Sequence, residues 1–157
     1  MPNSYGYFKP EVKDWFVENV PTSKRLLDVG PGQGTYSDLL RNLGYRMDAV
    51  EVWAPYVDQF SLRTKYDNVY IENILEFNWT DYDFIILGDV LEHLGKEDAK
   101  RLINAMHFHG KHFLVAIPYT MEQDGEEYGN TYETHLQPDL TPDIMLERYP
   151  GLVPLYI

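Results

Sequence analysis

Five short apolar runs, interleaved with segments of helical periodicity, constrain the fold of this chain more than any other feature. They are Arg25–Val29, residues 46–52, Val69–Ile71, residues 83–87 and residues 113–117. Most read as continuous Val, Ile and Leu, without a regular polar alternate. Strands that are apolar on both sides belong in a sheet covered by helices on both faces, which is how parallel sheets are built. The intervening segments supply those helices. Residues 34–43 carry Leu39, Leu40 and Leu43 on one face and stop at Gly44, a residue suited to a left-handed helix terminus. Residues 55–62 open on Pro55, which fits a first helical turn. Residues 97–108 place Ala99, Leu102, Ile103 and Met106 at helical spacing, with acids in the first turn and Gly110 just past the end. A further helix over 10–19 precedes the first strand. The fold class is therefore α/β: a doubly wound, mostly parallel sheet flanked by helices.

The pattern changes after Pro118. Residues 119–140 are polar and contain Gly125, Gly129 and Pro138, so they read as a long functional loop. Thr141, Pro142 and Asp143 form a helix start, and residues 152–157 read as a final edge strand, which makes a minimal C-terminal end. The 157 residues thus suit one domain. Its parts are an N-terminal helix and lid over 1–20, a core over 25–118, and a loop, helix and edge strand over 119–157. Tyr5, Tyr7 and Phe8 are the lid candidates.

Composition narrows the partners. The formal net charge is −12, and the basic pairs Lys24-Arg25 and Lys100-Arg101 are isolated. A polyanion would be repelled, so no nucleic acid is expected. There is no cysteine, which excludes disulfides and thiolate metal sites and suits a reducing compartment. No apolar run approaches the ~20 residues that span a bilayer and no signal peptide is recognisable, so the expected location is cytoplasmic, without a membrane partner. His107, His109 and His112 straddle a helix end and Gly110 rather than sharing one face, and no metal is expected.

The first strand runs through Asp28 into Gly30, Pro31, Gly32 and Gly34, which open the first helix of the core. Glycines there let the backbone turn sharply and approach a ligand closely. Their spacing, with Thr35 following Gly34, departs from the dinucleotide fingerprint, and no Lys-Ser/Thr ending marks a phosphate loop. Glu51 closes the second strand, 21 residues after Gly30, near the offset of a ribose-binding acid. An ionised carboxylate only accepts hydrogen bonds, so it can take two vicinal hydroxyls. Val52, Trp53 and Ile74 are candidate walls of a flat apolar slot.

On these residues the sequence resembles the class I, Rossmann-like methyltransferases that depend on S-adenosylmethionine (SAM), in particular the small-molecule type, over roughly residues 25–118. In that resemblance Asp28, Gly30, Gly32 and Gly34 match the first motif, Glu51 the ribose acid, and Asn73 a polar residue near the adenine. Asp89, Val90, Leu91, Glu92 and His93 match the ending of the fourth-strand motif. The resemblance implies SAM as cofactor and S-adenosylhomocysteine (SAH) as product. The implied cofactor contacts are Asp28, Gly30, Pro31, Gly32, Gly34, Glu51, Val52, Trp53, Asn73, Ile74 and Asp89. It further implies a small-molecule acceptor met by Asp89, His93 and His135 as candidate catalytic residues, with Tyr119, Tyr132 and Glu133 nearby. No N-P-P-Y-like tetrapeptide follows the fourth strand, which argues against methylation of adenine, cytosine or glutamine amino groups. A homodimer is one way to complete the short sheet edge. The alternative is a non-catalytic SAM-binding partner or sensor. A nicotinamide-dependent oxidoreductase fits the glycine spacing poorly.

Overall fold

β1 (Arg25–Val29) lies at the centre of a five-stranded sheet in the computed structural model, which describes residues 8–121 and 129–155. Its neighbours are β2 (Arg46–Glu51) on one side and β4 (Phe84–Gly88) on the other. β3 (Val69–Ile71) pairs with β2, and β5 (His112–Ala116) with β4. Every pairing is parallel and the order is β3-β2-β1-β4-β5. The α/β, doubly wound reading of the sequence is the observed fold.

Period-two alternation along the strands divides the core between the two faces. Leu27, Val29, Ile85 and Leu87 face α5 (Lys96–Phe108) and α6 (Pro142–Arg148), where Ala99, Leu102, Ile103, Met106 and Met145 pack against them. Leu26, Met47, Ala49, Phe84 and Ile86 face the opposite layer. That layer holds α1 (Lys9–Asn19), α2 (Thr35–Leu40), α3 (Ala54–Gln59) and α4 (Leu62–Lys65). Phe16 of α1 is fully buried against the rings of Tyr45 and Phe84. This contact seats the N-terminal helix that the sequence places before β1.

Boundaries differ from the sequence reading where local geometry intervenes. The helix expected over 34–43 is α-helical only to Leu40 and tightens into a 3₁₀ turn over Arg41–Leu43, ending on Gly44 at φ +96°. The one expected over 55–62 divides into α3 and α4, because Ser61 takes a left-handed conformation, φ +52°, between them. The expected edge strand does not form over 152–155, and residues 156–157 lie outside the described residues. Pro150-Gly151 turns the chain there, and Pro154 has no N–H to give a ladder. Among the described residues the outer edge of β5 therefore pairs with no strand. The lid candidates Tyr5 and Tyr7 also lie outside the described residues. No helix among the described residues is long and apolar enough to cross a membrane.

Candidate functional site

The strand order reverses at β1 and β4, so the loops leaving their C-terminal ends part to opposite sides. A crevice at such a switch point is where open α/β sheets bind ligands. Here it is bounded by Val29–Gly32, Val50–Val52, Glu72–Ile74 and Gly88–Val90, by His93 and Leu94, and by Asn130, Tyr132 and Glu133 from the chain beyond β5.

The glycine loop forms its floor. Gly30 sits at φ +57° and donates its N–H to the Val50 carbonyl at 2.9 Å, tying β1 to β2 at the mouth. A Cβ at Gly30 would stand 3.1 Å from Val90 Cγ2. The position thus needs glycine both for its dihedral and for its close approach.

Glu51 closes β2 and is 4% exposed, with its Oε1 accepting from the Trp53 N–H at 2.7 Å. Burial pushes its carboxyl up to about 7, and the carboxylates of Glu133 and Asp28 act in the same direction. Asp28 is also pushed up to about 7 by burial, against the hydrogen bond it accepts from the Tyr66 hydroxyl and the pull of Lys9. It does not line the crevice. Its carboxylate is buried on the Tyr66 hydroxyl instead. Gly34 and Trp53 are likewise set back: a Cβ on Gly34 would strike the Lys65 side chain at 2.7 Å, and Trp53 serves Glu51 through its main chain.

The other expected contacts meet at the crevice: Gly30, Pro31, Gly32, Glu51, Val52, Asn73, Ile74 and Asp89. Asn73 uses its Oδ1 to accept from the Leu75 N–H at 3.0 Å, an Asx turn that anchors the side chain. Asp89 has φ +56°, with its N–H held by the Ala116 carbonyl at 2.7 Å. Positive φ is uncommon outside glycine, and Asp tolerates it better than most residues.

The segment after β5 closes one side. Gln137, which the sequence reading passed over, is its anchor. Its amide donates to the Leu91 and Leu94 carbonyls at 2.8 and 3.1 Å, while its Oε1 accepts from Tyr149 and Arg148. The main-chain N–H groups of Leu136 and Gln137 both donate to the Glu92 carbonyl. Tyr56 reaches across from α3, its hydroxyl donating to Glu133 Oε1 at 3.0 Å. The only sequence signal for Tyr56 was an aromatic one turn beyond Glu51. Tyr132 and Glu133 thereby reach the crevice, while His135 lies behind it against His93, their ring centroids 4.7 Å apart. Burial first, and His135 second, hold His93 below the ordinary imidazole value. Tyr119 is exposed and lines a separate apolar groove beside β5. His107, His109 and His112 do not gather: His107 packs its edge on Phe113 and His109 on Trp79.

The raised carboxyls give a stability prediction. Between about pH 4.5 and 7 the folded chain keeps protons that the unfolded chain releases, so stability falls as pH rises through that window. A move from 4.5 to about 7 for Glu51 corresponds to about 3 kcal/mol in full. Buried Asp28 and Glu92 act in the same sense. Urea unfolding of the ligand-free protein should give greater stability at pH 5 than at pH 8. The reverse order would show that these carboxyls are ionised in the folded state at the lower pH.

Comparison with known proteins agrees with this geometry. A family model described as "Methyltransferase domain" matches residues 7–137. No curated protein matches the chain. Among solved structures, a SAM-dependent methyltransferase from Archaeoglobus fulgidus is 20% identical with a TM-score of 0.53, over 73% of this chain and 55% of that one. One from Clostridium acetobutylicum is 16% identical with a TM-score of 0.57, over 80% and 59%. SAM-bound CalS10, an amino pentose methyltransferase from Micromonospora echinaspora, is 20% identical with a TM-score of 0.54, over 68% and 47%. The chain thus spans about half the length of the structures it resembles. With the family model covering most of its length, the chain belongs to the methyltransferase domain family, on a five-stranded parallel sheet.

Proposed function

We propose that the domain binds SAM in the crevice and transfers its methyl group to a small-molecule acceptor. The observation that carries this reading is the meeting of Gly30–Gly32, Glu51, Asn73-Ile74 and Asp89, from four strand ends, on one cleft. Bound SAM supplies a methyl already activated on a sulfonium, so the protein's task is to bind, orient and exclude water. Glu51 takes the two ribose hydroxyls. Val52 and Ile74 flank the adenine, with Asn73 at its polar edge. Gly30 to Gly32 let the backbone approach the amino-acid end. Asp89 and His93 stand on the acceptor side, available to orient the acceptor and take its proton, with His135 packed behind His93. The net charge of −12 favours neutral or cationic acceptors over polyanions. The absence of cysteine supports a reducing compartment, which we take to be the cytoplasm.

Calorimetry with SAM, SAH and NAD tests the reading. SAM and SAH should bind with a stoichiometry of one and NAD should not. NAD binding without SAM binding would overturn it.

A further inference from the structure

We propose that Glu92, His93 and His135 form a site for one divalent transition-metal cation on the acceptor side of the crevice. One donor atom from each of the three side chains lies within 4.8 Å of the others. Ligands of a tetrahedral ion bound at about 2.0–2.2 Å stand about 3.3–3.6 Å apart, so closure asks for side-chain movement of up to about 1.5 Å.

Glu92 is the observation that points to a ligand. It is 1% exposed, yet among the described residues neither of its carboxylate oxygens has a hydrogen-bond partner. Leaving a buried polar group unmatched costs free energy. A cation beside Glu92 relieves that penalty.

The histidines are set as ligands. His93 Nδ1 lies 3.2 Å from the Thr134 carbonyl, and His135 Nδ1 lies 2.8 Å from the Met121 carbonyl. A carbonyl only accepts, so each Nδ1 carries the proton and each neutral ring keeps its lone pair on Nε2. Metal-bound histidines are commonly held by such a bond on the other nitrogen. The framework is rigid as well: Glu92 and His93 share the 3₁₀ turn Leu91–His93 after β4, and the His135 segment is bonded to the Glu92 carbonyl through two N–H groups. Two imidazoles with one carboxylate suit zinc or a similar first-row ion better than magnesium.

What the ion would do rests on the proposed methyl transfer; that it binds does not. His93 lines the crevice, so an ion held there lies next to the acceptor. It would lower the pKa of an acceptor hydroxyl. The O–H proton leaves to solvent, the oxygen lone pair forms the O–CH₃ bond, and the S–CH₃ pair stays on sulfur as SAH. The two imidazoles then serve as ligands, not as proton acceptors.

The full chain, freed of metal with a chelator, is titrated with Zn²⁺ by calorimetry and with Co²⁺ by visible absorption. One equivalent should bind, with a Co²⁺ d–d spectrum. Glu92→Gln and His135→Gln should each weaken binding at least about 100-fold, while a His107→Gln/His109→Gln/His112→Gln variant should bind as wild type. Glu92→Gln keeps the shape and removes a buried charge, and circular dichroism confirms folding of each variant. No ion bound by the wild type, or binding kept by both site variants and lost in the triple variant, overturns the site. SAM calorimetry on the same samples separates the two proposals. Ion binding without SAM binding sinks the methyl-transfer reading alone, and SAM binding without ion binding sinks the metal site alone.

Discussion

Replacing Glu51 with alanine is expected to weaken SAM binding by about 1.5–3 kcal/mol, roughly 10- to 150-fold. The carboxylate stands at the end of β2 on the crevice wall and accepts from the Trp53 N–H. Its ionised form has lone pairs left for two hydroxyls. Burial holds the free carboxyl up to about 7, and a ligand that donates hydroxyls prefers it ionised. Wild-type affinity should therefore rise between pH 6 and pH 8, while the alanine variant loses that part of the slope. Removing a buried carboxylate should not lower the melting temperature of the ligand-free protein at pH 8. Calorimetry at the two pH values reads both effects. Unchanged affinity in Glu51→Ala would remove this residue from the ribose site. A full slope kept by the variant would assign the pH dependence to another group.

The second large effect is expected at Gly88, the last residue of β4. A Cβ there would fall 2.3 Å from Cε2 of Tyr36. Tyr36 is 3% exposed, and the Lys9 ammonium lies over its ring and donates to its hydroxyl at 2.9 Å. The ring cannot swing aside without breaking that seat, so Gly88→Ala overpacks the layer between α1, α2 and the sheet. Such overpacking costs about 1–3 kcal/mol, a fall in melting temperature of about 2–12 °C for a chain of this size. Because Gly88 also lines the crevice, SAM affinity should fall with it. Tyr36→Leu in the same chain should restore much of the stability by making room. Gly95→Ala is the control: its Cβ would meet only Asp98 Oδ2, at an ordinary 3.8 Å. Equal melting temperatures for the two alanine variants would show that the Tyr36 contact relaxes at little cost.

Local chemistry made the frame of this protein legible in its amino acids. Runs such as residues 83–87 are apolar on both sides and demand a covered, parallel sheet. Gly30 and Gly32 demand the backbone that only glycine adopts freely. Glu51 falls at a strand end because the run before it is five residues that pack as strand. These are consequences of sequence neighbours, and periodicity reads neighbours well. The sequence does not show direction, as Asp28 illustrates: its motif position is right, yet pairing of β1 with β2 and β4 buries it against Tyr66. Nor does it show company across distance. His93 and His135 are 42 residues apart, and their meeting with Glu92 depends on Gln137 pinning the later segment to the Leu91 and Leu94 carbonyls. Five parallel strands, the glycine turn and the acid at the end of β2 were thus determined by the sequence itself. Which carboxylate faces the crevice, and which lies buried beside two imidazoles without a hydrogen-bond partner among the described residues, was decided only by tertiary structure, because burial and long-range hydrogen bonds belong to the packed chain and not to any stretch of it.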